Sequence, residues 1–118
     1  MPLIESIAPH ALKLVGAEAP KFLVFFSSKV DGRLWCGDCR NTEHVVQETF
    51  GGADKPKAVL YWVGDKTEWK NPENQARTEW KITNIPTIVR LDESGKEVAR
   101  IVEDDLLDAA KLKGVLGQ

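Results

Sequence analysis

An α/β fold, with a central mixed sheet flanked by helices on both faces, is what this sequence predicts. Three observations carry that expectation. Compact apolar runs of strand type, 22–27 (FLVFFS) and 58–63 (AVLYWV), alternate with longer segments of helical period. The segments between them are long enough for the crossovers that parallel strands require. Two further strand-like runs, 86–91 and 96–102, are joined by Asp92-Glu93-Ser94-Gly95, which reads as a hairpin with glycine in the turn. At 118 residues, with no repeat, linker or low-complexity tract, the chain is expected to form one domain, 1–118.

Taken in order, residues 3–7 predict a short strand, and 8–18 a short helix with Leu12 and Val15 on one side. The 22–27 run is a buried strand. Residues 28–35 are polar with a glycine and predict a loop. The spacing then predicts a helix over 36–50, with Cys39, Val46 and Phe50 on one face and Val45 and Thr49 beside it. Gly51-Gly52 is expected to stop it. After the 58–63 strand, Asn71-Pro72 is expected to start another helix that runs to about Lys81, since Asn caps well and Pro suits the first helical position. The last helix is expected to begin near Asp104. Glu103, Asp104 and Asp105 come first and Lys111 and Lys113 late, which suits the helix dipole.

Composition excludes several classes of function. The formal net charge is −2, so the chain has no basic excess for a nucleic acid backbone. It has no dense Lys/Arg run for an anionic membrane surface, and its longest apolar runs are too short to span a bilayer. The first residues lack a basic start followed by an unbroken apolar stretch, and KGVLGQ at the end matches no lipidation signal. No secretory signal and no membrane partner are therefore expected.

The two cysteines are Cys36 and Cys39. A secreted disulfide scaffold carries more, spread along the chain, so a working pair in a reducing compartment is the expectation. Cys36 would sit at the N-terminus of the 36–50 helix, where unpaired N–H groups and the helix dipole stabilise a thiolate. Cys39 would lie one turn in, on the buried face. Cys36 is then the attacking thiol and Cys39 the resolving one. Two other readings compete. C-x-x-C also occurs in zinc sites, but these take four ligands and the chain's histidines are His10 and His44 alone. An inert core pair leaves the strand-to-helix position of both thiols unexplained.

Trp35 is expected to pack over the cysteines and line a substrate groove. Trp69 and Lys70 are read as stapling a long loop, Tyr61 and Trp62 as sheet residues, and Trp80 as packing from its helix. Lys29, Asp31 and Arg33 form a charged rim beside the site, and Arg40 and His44 a solvated helix face.

Trp35-Cys36-Gly37-Asp38-Cys39 after a strand and before a helix, with Ile85-Pro86-Thr87 before a hairpin and a last helix, resembles thioredoxins. The resemblance implies the thioredoxin fold and a cis Ile85–Pro86 bond beside the cysteines, presenting backbone groups to an extended substrate. Trp35, Gly37, Ile85 and Pro86 are then substrate-binding. The combination of WC-x-DC with the later VGDKTEWKNPENQAR is similar to one branch, the fourteen-kilodalton thioredoxin-related proteins. That branch implies a monomeric cytoplasmic disulfide reductase whose only redox group is the Cys36–Cys39 disulfide. It also implies electrons from NADPH through thioredoxin reductase, small or selected disulfides such as cystine as substrates, and a link to dynein light chain. A scaffold that only binds a partner through the groove is the alternative.

Three departures stand out. Asp38 occupies the position of the proline in ordinary thioredoxins, and Gly37 that of the proline in the branch motif. Phe25 falls where ordinary thioredoxins keep a buried aspartate that assists the resolving thiol. Asp38 is the nearest candidate to replace it as general base for Cys39, the alternative being an early-turn acid that simply suits the helix dipole, and its charge should also oppose a Cys36 thiolate.

Overall fold

The computed structural model describes residues 3–6, 22–51 and 58–117. The helix expected over 8–18 lies outside these residues. The main sheet has five strands: β1 (Leu3–Ser6), β2 (Phe22–Phe26), β5 (Ala58–Trp62), β6 (Thr87–Leu91) and β7 (Glu97–Val102). Their order is β1-β5-β2-β6-β7, with β1 and β2 parallel to β5 and β6 antiparallel to β2 and β7. The sheet is therefore mixed, as expected.

The β2 run FLVFF is buried along its whole length because β5 and β6 flank it and helices cover both faces. Alternate residues of a strand point to opposite faces. Phe22 meets Phe50 of helix α1 (Gly37–Phe50), with ring centroids 5.3 Å apart. Phe25, of opposite parity, meets Trp80 of α3 (Gln75–Trp80) at 6.4 Å. Helices α1 and α3 therefore cover opposite faces. Each buried Phe, Leu, Ile or Val in these layers contributes about 1.5–3 kcal/mol. Gly51 ends α1 in a right-handed conformation; a Cβ there would fall 2.4 Å from the Gln47 carbonyl oxygen, which is why glycine stands at this position.

Three local expectations are corrected. The 28–35 loop contains a small hairpin, β3 (Lys29–Val30) against β4 (Arg33–Leu34). Asp31 and Gly32 between them both have positive φ, 54° and 83°, as a two-residue hairpin turn requires.

The helix expected from Asn71 is two helices. α2 (Lys66–Lys70) starts at Asp65, whose carboxylate accepts the Glu68 N–H while Glu68 accepts the Asp65 N–H. Asn71 makes a turn instead, its side chain accepting the Glu73 N–H, and α3 starts from Asn74. The Asn74 side chain accepts from the Ala76 N–H and donates to the carbonyls of Val63 and Glu68. It therefore joins the end of β5, the end of α2 and the start of α3.

The last helix is also divided. A 3₁₀ turn, Glu103–Leu107, comes first, and α4 (Ala109–Leu116) is capped by the Asp108 carboxylate on the N–H groups of Ala110 and Lys111. The 3₁₀ turn packs on α1 and buries Leu106.

Candidate active site

β2 ends at Phe26, and the next residues turn toward the start of α1. Cys36 is the N-cap of α1, in extended conformation (φ −89°, ψ 124°), and no side chain caps the helix there. Its sulfur stands where a capping oxygen ordinarily would, facing free amides. Cys36 is half-buried and Cys39 fully buried, and both thiols are free. The expected asymmetry is present: one thiol at the surface, the other one turn deeper.

The electrostatics follow from that placement. A hydrogen bond from the Cys39 thiol pulls the Cys36 thiol down from 9.0 to about 6, helped by the N–H groups of Cys39 and Asp38. Partial burial and the Asp38 carboxylate work against it. Cys39 is pushed up, first by the same hydrogen bond and then by burial, while Ser27 counters with hydrogen bonds from its backbone and side chain. The pair thus holds one proton on Cys39 and one negative charge on Cys36 near neutral pH.

The partners of the two thiols are local. The Ser27 N–H donates to Cys39 Sγ at 3.4 Å, and the Cys36 N–H donates to Ser27 Oγ at 3.3 Å. Ser27 is fully buried. On the other side, Cys36 Sγ lies 3.8 Å from the Ile85 carbonyl oxygen. Ile85 and Pro86 are buried, and the bond between them is cis. The Pro86 carbonyl accepts the Glu103 N–H at 2.7 Å, which ties this loop to the 3₁₀ turn. Gly37 is exposed beside Cys36.

Trp35 is half-buried against the core, and its indole N–H donates to the Gly64 carbonyl at 2.9 Å. The same carbonyl accepts the Ser28 N–H at 3.1 Å, and the Gly64 N–H returns to Ser28 Oγ at 2.9 Å. Gly64 has φ +100°, and a Cβ there would lie 2.7 Å from Glu68 Cβ. Glycine is therefore required at the knot that holds Trp35 to the loop after β5.

Arg40 departs from the solvated role expected of it. It lies on the exposed face, yet one guanidinium nitrogen donates to the Leu34 carbonyl at 2.6 Å and ties the β3–β4 hairpin to α1. His44 is exposed as expected, and so are Lys29, Asp31 and Arg33 of the rim. Trp69 is buried with the Arg77 guanidinium 3.8 Å over its ring, and Arg77 Nε donates to the Trp69 carbonyl, so Trp69 staples the loop through Arg77, whereas Lys70 is exposed. Phe25 is fully buried and meets Tyr61 edge-on at 5.4 Å. Trp80 packs on Phe25 as well, so the three rings form one aromatic cluster. Asp38 is half-buried in the first turn of α1, where its charge acts on Cys36. The groups that act most on Cys39 are Cys36 and Ser27. Among the described residues, no group of three or more His, Cys, Asp or Glu side chains is placed to hold a metal ion.

Sequence reasoning missed Ser27 and Gly64. Ser27 reads as the polar end of a strand, and Gly64 enters only as part of the VGDKTEWKNPENQAR pattern. Their meaning comes from contacts 12 and 29 residues away in the chain.

Fold and site together define a thioredoxin-fold protein with a paired-cysteine centre at a helix N-terminus. A reduced thioredoxin pre-protein from Schistosoma mansoni superposes with a TM-score of 0.62 at 18% identity, over 96% of this chain and 97% of that one, which establishes the fold. Residues 5–115 match the family described as thioredoxin domain-containing protein 17-like, thioredoxin domain. The chain belongs to that family. Thioredoxin domain-containing protein 17 of mouse is 36% identical over 76 residues, covering 62% of each chain. The human protein of that name is 34% identical over 90 residues, 75% of this chain and 70% of its own. The match thus spans less than two thirds of the mouse relative's length.

Proposed function

We propose that this chain is a thiol–disulfide oxidoreductase acting as a reductase of small or selected protein disulfides. One observation carries the reading. The half-buried thiol of Cys36 stands at the N-cap of α1 with the wholly buried thiol of Cys39 one turn beneath it, a placement in which the hydrogen bond from Cys39 pulls Cys36 down to about 6. A thiolate at the surface attacks a disulfide, and a thiol held beneath it completes the exchange.

Cys36 attacks a substrate sulfur, forming a mixed disulfide and releasing the first substrate thiol. Cys39 then attacks Cys36, the Cys36–Cys39 disulfide forms, and the second thiol leaves. Two electrons pass to the substrate, and a dithiol reductant returns the protein to its starting state. Thioredoxin reductase with NADPH is the donor this reading assigns, and the cytoplasm the compartment. Trp35, Gly37, Ile85 and Pro86 form the surface on which the substrate lies. Asp38, within reach of solvent, is the proposed base for Cys39, acting through water.

The test is reduction of insulin and of cystine with thioredoxin reductase and NADPH. Cys36→Ser should abolish turnover, and Cys39→Ser should accumulate mixed disulfides. Wild type no faster than Cys36→Ser in both assays would leave a non-enzymatic binding scaffold as the better reading. Equal trapping by the two variants would contradict the order of attack.

A further inference from the structure

We infer that Ser27 is the hydrogen-bond donor that stabilises negative charge on Cys39 during the resolving step. The inference rests on the reductase reading above and assigns that site a third participating residue.

The argument starts from burial. Cys39 is wholly enclosed, so when it loses its proton bulk solvent does not solvate the charge. The polar groups aimed at Cys39 Sγ must then come from its immediate wall, and Ser27 supplies them. Its N–H points at the sulfur from 3.4 Å. Its hydroxyl oxygen accepts the Cys36 N–H at 3.3 Å, which orients the group and leaves its proton free to turn toward Cys39. One fully buried residue thus bridges the backbone of the attacking cysteine and the sulfur of the resolving one. Two donors in a dry site stabilise a thiolate more than they would in water.

The chemistry balances without a further reactant. In the resolving step the Cys39 S–H bond breaks, Cys39 sulfur bonds to Cys36 sulfur, and the Cys36–substrate bond breaks. The departing substrate sulfur ends with the proton, and the electron pair of the old bond leaves with it. Ser27 keeps its proton throughout. When the disulfide is reduced again, the same donors face the sulfur of Cys39 as it is released.

An aromatic disulfide whose released thiolate absorbs visible light reports both steps in stopped flow. The first equivalent marks attack by Cys36 and the second marks resolution by Cys39. In Ser27→Ala the first phase should keep its rate. The second should slow about tenfold, the loss expected for one hydrogen bond to a charged group. Its pH midpoint should move up, because the Cys39 thiolate has lost a donor, and Cys36 is the ionisable group acting on Cys39 in both proteins. Ser27→Thr, which keeps a hydroxyl, should recover most of the rate. A second phase in Ser27→Ala within twofold of wild type, at an unmoved midpoint, would overturn the inference. Absence of the first phase in wild type would instead sink the reductase reading. If Ser27→Ala does not fold, the ¹⁵N shift of the Ser27 amide in wild type takes its place. It should move when the Cys36–Cys39 disulfide forms, and an unmoved resonance overturns the inference.

Discussion

Cys36 owes its acidity to donors and loses part of it to a neighbour, and each contribution can be separated. The Cys39 thiol and two backbone amides stabilise the thiolate; the Asp38 carboxylate opposes it. The rate of alkylation of reduced protein by iodoacetamide should therefore rise with pH about a midpoint near 6, because the thiolate is the reactive form. Asp38→Asn removes the opposing charge and should move that midpoint down. The same variant tests the base role: if mixed-disulfide resolution keeps its rate across pH, Asp38 is not the base. At this scale the sequence made the two thiols and their order legible, because C-x-x-C at a strand-to-helix junction carries its own physics. It made Ser27 invisible, because a serine at a strand end gains its role only once α1 folds back over it.

Short helices in this chain are set by side-chain caps more than by length. α2 and α3 have five and six residues, too few to persist alone. Asn74 holds both through three hydrogen bonds, whereas Asn71 makes one, in an exposed turn. Asn74→Ala should cost about 1–2 kcal/mol and lower the thermal midpoint by several degrees. Asn71→Ala should cost under about 0.5 kcal/mol. The reverse order in a melting experiment would contradict this assignment. The misreading of Asn71-Pro72 as a helix start has the same origin. Asn is favoured both as a helix cap and as a turn former, and only the reciprocal Asp65–Glu68 pair, whose Glu68 lies three residues before Asn71, decides between them. The Asp31-Gly32 hairpin was legible as a loop but not as a strand pair, since two residues a side give no period. The buried strands and the Asp92-to-Gly95 hairpin were legible because each is a compact run with its own turn chemistry.

At the scale of the whole molecule, the one proton held between the cysteines sets how the redox balance answers to pH. Below about 6 both thiols carry protons, so reduction consumes two electrons and two protons. Above it Cys36 is already ionised and one proton suffices. The potential should fall by about 59 mV per pH unit below that point and by about 30 above it, with the break at the acidity of Cys36. A single slope of 59 from pH 5 to 8 would mean that the surface thiol is not acidified. That the sheet is mixed could be anticipated from long crossovers followed by a hairpin; its strand order was not. The joining of the site across the molecule could not, since Gly64 and Glu103 reach it from distant loops through main-chain atoms, which leave no mark on residue identity.

The lone thiolate of the resting dithiol has an electrophoretic consequence. Forming the S–S bond erases that charge, so at neutral pH the oxidised chain is one unit less negative than the reduced chain, on a protein whose formal charge is only −2. Native gel electrophoresis at neutral pH should therefore resolve the two forms as separate bands, without any tag or label, and the spacing should vanish when Cys36 is replaced by serine.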